Sequence, residues 1–125
     1  MVIDTSIFID FLRKKDKTKT VLYSISENSP LAISVITLYE LLMGATDTTK
    51  KNDIKILTND LIILDFDKEI AKRAANIYHK LRRENKMIEF RDIFIAATCL
   101  VYEMPILTLN KKHFKRIPGI EFYQV

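Results

Sequence analysis

Three carboxylates in this chain stand alone in apolar surroundings. Asp4 is the one charged residue between Met1 and Ile9, Glu40 the one between Leu31 and Thr46, and Asp92 precedes a charge-free run from Ile93 to Tyr102. An ionised carboxylate in a weakly hydrated place is costly unless it is paired or holds a cation. The sequence offers two His and one Cys, so no soft or imidazole-rich ligand set accompanies the acids. Oxygen ligands alone suit a hard divalent cation, Mg²⁺ or Mn²⁺. Each acid also has an ordinary use. Asp4 could cap the first helix, and Asp92 could sit favourably at a helix N-terminus. Glu40, flanked by Tyr39, Leu41 and Leu42, has no capping role, and its alternative is a buried pair with Lys or Arg.

The elements that must position these acids alternate between strand-like and helix-like stretches. Met1 to Asp4 reads as a strand, followed by a helix capped by Thr5 or Ser6 with Ile7, Phe8, Phe11 and Leu12 at helical spacing. A second amphipathic piece carries Val21, Leu22 and Ile25 and ends at Asn28, Ser29 and Pro30. Leu31 to Ile36 is apolar and β-branched, and a helix runs from Thr37 to Ala45. Thr46 to Asn52 reads as a loop before a helix ending at Asn59, and Leu61 to Leu64 as the next strand. Asp67 caps a long helix with the stripe Ile70, Ala74, Ile77, Tyr78 and Leu81. Asp92 begins another helix; Pro105 to Thr108 and Phe122 to Val125 read as the last strands. This order predicts an α/β fold with a parallel sheet covered on both faces, since parallel strands need crossover helices. Functional groups in such folds gather beyond the carboxyl ends of the strands. Asp4 falls there, at the end of the first strand.

The 125 residues have room for one domain, 1–125, and 48% hydrophobic against 29% charged content fits a compact globular chain. The longest uncharged stretch is too short to cross a bilayer, which needs about 20 apolar residues. With a lone Cys99 and no secretory pattern at the first residues, the expected compartment is a reducing cytoplasm. The net charge of +4 permits polyanion binding. Basic clusters stand at Lys14, Lys15, Lys17 and Lys19, at Arg82, Arg83 and Lys86, and at Lys111, Lys112, Lys115 and Arg116. Each reads as a solvated face or as a phosphate-binding surface. Two glycines, Gly44 and Gly119, exclude a Gly-rich phosphate loop.

Four segments together carry a family resemblance. Val2-Ile3-Asp4-Thr5-Ser6, Ser34 to Gly44 with Tyr39-Glu40-Leu41-Leu42 inside it, Arg91-Asp92-Ile93-Phe94-Ile95-Ala96-Ala97, and Ile106 to Phe114 resemble the PIN domain in the form found in VapC toxins of toxin–antitoxin systems. The resemblance spans essentially the whole chain. It implies a three-layer fold with about five parallel strands, the first and fourth side by side, and a Mg²⁺- or Mn²⁺-dependent ribonuclease. Asp4, Glu40 and Asp92 match three family acids; the fourth acidic position holds Asn110, a neutral oxygen donor, which weakens a second metal site in particular. Ser6 stands where Asn is frequent, and Thr5, Ser6 and Thr108 lie beside the acids to orient them. The expected chemistry is in-line attack by metal-activated water, with Asp4 and Asp92 as metal ligands and Glu40 holding a water or acting as general base. Lys111, Lys112, Lys115 and Arg116, which follow Asn110, are the expected RNA contacts. The implied partners are RNA, a VapB-like antitoxin and a second copy of the chain, the last also served by apolar Tyr23, Leu57, Tyr78 and Phe90.

Asp65 also follows a strand, but two strands away from the first, roughly 10 Å at about 4.8 Å per strand. Glu89 reads as a solvated acid or a rim residue, Arg91 as a partner for an acid or a phosphate, and His113 as packing against Phe114. Two rivals remain. A catalytically weakened PIN-like module would bind RNA or protein without cleavage. A phosphotransfer domain would need a second acid beside Asp4, where position 6 is Ser.

Overall fold

The computed structural model describes residues 1–25 and 29–124. The chain begins with β1 (Val2–Ile3), α1 (Thr5–Arg13), a 3₁₀ turn (Lys17–Lys19) and α2 (Val21–Ser24). Next come β2 (Ala32–Ser34), α3 (Val35–Gly44), α4 (Thr48–Thr58) and β3 (Ile62–Leu64). It ends with α5 (Lys68–Arg83), α6 (Phe90–Val101), β4 (Ile106–Leu107) and α7 (Lys111–Phe114). The strands form a parallel sheet of four in the order β3-β2-β1-β4, so the first and fourth lie side by side as expected. The expected fifth strand is reduced to a single parallel bridge, Phe122 against Ile106, with Tyr123 N donating to Ile106 O (2.8 Å). Val125, and the expected helix end at Asn28, lie outside the described residues.

Strand residues alternate between two cores because successive side chains point to opposite faces. Val2, Ala32, Leu64 and Ile106 pack with Ile70, Ala74, Ile77 and Leu81 of α5 and with Ile93, Ala96 and Ala97 of α6. Ile3, Ile33 and Leu107 pack on the other face with Ile7 and Phe8 of α1, Leu41 of α3 and Ile54 of α4. The result is the expected three-layer sandwich, helices on both faces of the sheet. No helix of the described residues is long and apolar enough to cross a membrane.

Three boundaries depart from the sequence reading. The strand expected over Leu31 to Ile36 stops at Ser34, whose hydroxyl accepts from Ile36 N (3.0 Å) and so starts α3 at Val35 rather than Thr37. Asp47 caps α4 by accepting from Lys50 N (2.8 Å), which draws Thr48 to Asn52 out of the expected loop and into helix. The third is α6, which begins at Phe90, placing Asp92 within its first turn instead of at its head.

Candidate active site

Asp4 ends β1, and its backbone N–H donates to Leu107 O (2.9 Å) across the β1–β4 pair. That register sets Asp4 opposite Thr108. The carboxylate is 2% exposed, and although it occupies the N-cap position of α1 it makes no side-chain cap bond. Both of its hydrogen-bond donors are hydroxyls that meet Oδ2, namely Ser6 Oγ (2.7 Å) and Thr108 Oγ1 (2.7 Å). Each hydroxyl is fixed in turn. Leu109 N donates to Ser6 Oγ (3.1 Å) and Asn110 N to Thr108 Oγ1 (2.9 Å). The capping use of Asp4 is therefore not the one the fold employs. Its Oδ1 has no hydrogen-bond donor among the described residues.

Asp92 comes to the same place from α6. Burial, and next the negative charge of Asp4, push its carboxyl up to about 6. His113 Nδ1 stands 3.4 Å from Asp92 Oδ2, near enough for an ion pair when the imidazole is protonated, and that buried nitrogen makes no hydrogen bond among the described residues. The sequence reading gave His113 a packing role only. Its approach to Asp92 depends on how α7 folds back against α6, a long-range placement that no local pattern carries.

Glu40 lies inside α3, its side chain 13% exposed. Thr5 Oγ1, 3.2 Å from Thr37 Oγ1, donates to Glu40 Oε1 (3.0 Å), and Arg91 Nη1 donates to Oε2 (3.0 Å). Burial raises its carboxyl, opposed by the Thr5 hydrogen bond and the Arg91 charge. The buried-pair use is thus present here, with Arg91 as the cation. Arg91 also binds Glu89, whose carboxyl it holds below the usual range, so Glu89 is an exposed rim acid. Thr5, Glu40 and Arg91 line one end of a groove of about 670 Å³ between α1, α3 and α4.

Asn110 is exposed at the end of β4, and its side chain makes no cap bond to α7. Lys111, Lys112 and Lys115 are exposed beyond it. Lys111 Nζ stands over the Phe122 ring (5.9 Å), and Arg116 Nη1 donates to the carbonyls of Met87 (3.0 Å) and Lys86 (3.4 Å). Asp65 ends β3, two strands from β1. Cys99 is buried, and burial pushes its thiol up to about 12, so it is no nucleophile.

The donor set tests the fit of a divalent cation. Among the described residues no three His, Cys, Asp or Glu side chains converge tightly enough to hold one ion. Asp4 and Asp92 lie near enough for the charge of one to raise the carboxyl of the other, and Mg²⁺ is ordinarily held by one or two carboxylates with water completing its shell. A cation held by the two acids would offset the charge of Asp4 that raises the Asp92 carboxyl. Asp4 and Asp92 fit; Glu40, already held at both oxygens, belongs to a neighbouring position.

Fold and site together define a three-layer α/β protein with an acidic centre at the carboxyl ends of its middle strands. The sequence model of the PIN domain family matches residues 1–120, and the chain belongs to that family. Ribonuclease VapC of Rickettsia bellii is 37% identical over 132 aligned positions, covering 100% of this chain and 96% of the relative. Ribonuclease VapC1 of Methanocaldococcus jannaschii is 30% identical, covering 98% of this chain and 86% of the relative. Among solved structures, a chain of VapBC2 from Rickettsia felis, crystallised with a DNA fragment from its promoter, superposes with a TM-score of 0.86 at 25% identity, covering 98% and 96% of the two chains. A chain of DNA-bound VapBC from Salmonella typhimurium gives 0.82 at 27% identity, covering 98% and 95%.

Proposed function

We propose that this chain is an endoribonuclease of the VapC toxin kind, dependent on Mg²⁺ or Mn²⁺, acting as a single PIN domain over residues 1–125. The observation that carries the reading is the approach of Asp4 and Asp92, two carboxylates from distant segments, near the carboxyl end of β1, where the charge of Asp4 raises the carboxyl of Asp92. The ribonuclease names of its relatives over nearly the full chain support it. A bound divalent cation would offset the charge of the phosphodiester and acidify the attacking water. Asp4 and Asp92 would hold that cation. Ser6 and Thr108 aim Asp4 by donating to one of its oxygens, leaving the other for the cation. Glu40, its carboxyl raised by burial, would accept the proton of the attacking water on the oxygen that Arg91 now holds. Asn110 supplies a neutral oxygen at the edge, so one cation is held better than two. A non-cleaving module is the less favoured reading, since Asp4 makes no side-chain cap bond and the relatives that match nearly the whole chain are ribonucleases, although Glu40 is paired with Arg91.

Lys111, Lys112 and Lys115 line the approach for the RNA backbone. Arg116 completes that surface while bracing the loop at Met87. A VapB-like antitoxin, as in the VapBC complexes of Rickettsia felis and Salmonella typhimurium, is the proposed partner. A second copy is proposed to cover exposed Tyr23 and Phe90, and the cytoplasm is the proposed compartment. The test is cleavage of RNA by the purified chain in Mg²⁺ or Mn²⁺, in EDTA, and with Asp4→Asn or Asp92→Asn. Cation-dependent cleavage lost in both variants is expected; wild-type cleavage by either variant would overturn the reading.

A further inference from the structure

Arg91 occupies a position that the proposed chemistry does not use. Its guanidinium spans two acids, with Nη1 on Glu40 Oε2 (3.0 Å) and Nη2 on Glu89. Glu40 receives Thr5 on its other oxygen, so both oxygens of the half-buried acid are taken. The two ends of the pair differ in exposure. The Arg91 side chain is 46% exposed and faces the groove, while the Glu40 side chain is 13% exposed. A cation lying on the open side of a shielded acid can leave without disturbing the core, and Arg91 keeps a second anchor in exposed Glu89 when it does.

Ion pairs with an open partner contribute little to stability. The more telling consequence is electrostatic. Arg91 adjoins Asp92 in sequence and holds Glu40, so its positive charge stands against the centre that Asp4 and Asp92 form. We propose that Arg91 is a resident counter-cation of Glu40 that opposes entry of the divalent ion, and that Glu89 is the anchor to which it retires when the ion binds. Arg91 is on this account a positioning residue acting through Glu40. The inference rests on the reading of Asp4 and Asp92 as the ion's ligands. Coupling between sites is reciprocal, so the ion must loosen Arg91 from Glu40 by the factor by which Arg91 weakens the ion.

The test is a titration of the full chain with Mn²⁺ in the absence of RNA, following free Mn²⁺ by electron paramagnetic resonance and the Mn²⁺-induced rise in Tm. Arg91→Gln is expected to bind Mn²⁺ about fivefold more tightly than wild type, at the lower end of ordinary coupling between sites, and to show the larger rise in Tm. Arg91→Lys, which keeps the charge but cannot span both acids, is expected to fall between the two. In a Glu40→Gln background the gain from Arg91→Gln is expected to vanish. An unchanged Mn²⁺ affinity in Arg91→Gln overturns the proposal, and so does a gain that persists without Glu40, which would mark plain removal of charge. Asp4→Asn separates the two levels. If it leaves Mn²⁺ binding intact, the reading of the centre fails and the proposal with it; if it abolishes binding while Arg91→Gln changes nothing, only the proposal fails.

Discussion

Asp4 and Glu40 are both drawn out of water, and they are held by opposite means. Asp4 sits at the end of the sheet among neutral hydroxyls, Ser6 and Thr108, each locked by a backbone N–H. Glu40 sits one layer out, between a threonine hydroxyl and an arginine that reaches it from another helix. Neutral donors hold a carboxylate in place without supplying a counter-charge, so the inner acid is left open to a cationic ligand. A guanidinium supplies that counter-charge, so the outer acid is satisfied until something displaces the cation. The inner wall is fixed by strand register, whereas the rim is set by side chains that can move.

Mutations that strike the inner wall should be the most severe. Asp4→Asn is expected to lower RNA cleavage by about a hundredfold or more, the scale on which several kcal/mol of transition-state charge stabilisation disappears, measured as kcat/KM in Mg²⁺. A smaller loss would mean that the two acids are less unequal than their surroundings. Thr108→Val removes a hydroxyl that serves Asp4 and Asn110 together, and is expected to destabilise the fold by about 1–3 kcal/mol in urea unfolding. Thr5→Val, on the rim side, should be milder, because Arg91 still holds Glu40.

Asp92 gives the contrast a pH dependence. Its carboxyl stands at about 6 in the fold against an ordinary 3.8, so the folded chain binds that proton more tightly than the unfolded chain. The stabilisation is fully present below the ordinary value and is lost as pH rises through about 6. In EDTA at pH 7, Asp92→Asn is therefore expected to stabilise the protein by about 1 kcal/mol, after allowance for solvent screening at a half-open site. The smallest effect belongs to the lysines. Replacing Lys112 and Lys115 by Ala should leave kcat intact and make the salt dependence of RNA binding less steep by about 0.7 in slope per lysine that meets a phosphate.

Much of this was legible in the residues. The short apolar runs at β1 and β2, the helical stripe from Ile70 to Leu81, and the isolation of Asp4, Glu40 and Asp92 are local patterns, and they point to a parallel sheet with acids near its carboxyl ends. Hydrogen bonds that cross the chain were legible only through the family resemblance, which set Thr5, Ser6 and Thr108 beside the acids, and not through local pattern. Nothing near Asp4 in sequence says that Thr108 will hold it, and nothing near Glu40 names Arg91 among twenty basic residues. His113 approaches Asp92 for the same kind of reason. Boundaries failed where short polar side chains intervened: Ser34 and Asp47 each satisfy a backbone N–H and start a helix earlier than apolar periodicity predicts. The last strand shrank to a bridge at Phe122 although its apolar pattern reads as a strand, because only Ile106 offers it a partner.

The bond from Thr108 to Asp4 joins positions 104 residues apart. During synthesis all three acids leave the ribosome before the residue that cages the first of them, and parallel pairing of such remote segments is slow to form. A growing chain therefore carries the charges of the centre well before it carries the geometry. Whatever activity the centre has can begin only after Thr108 has emerged and closed on Asp4.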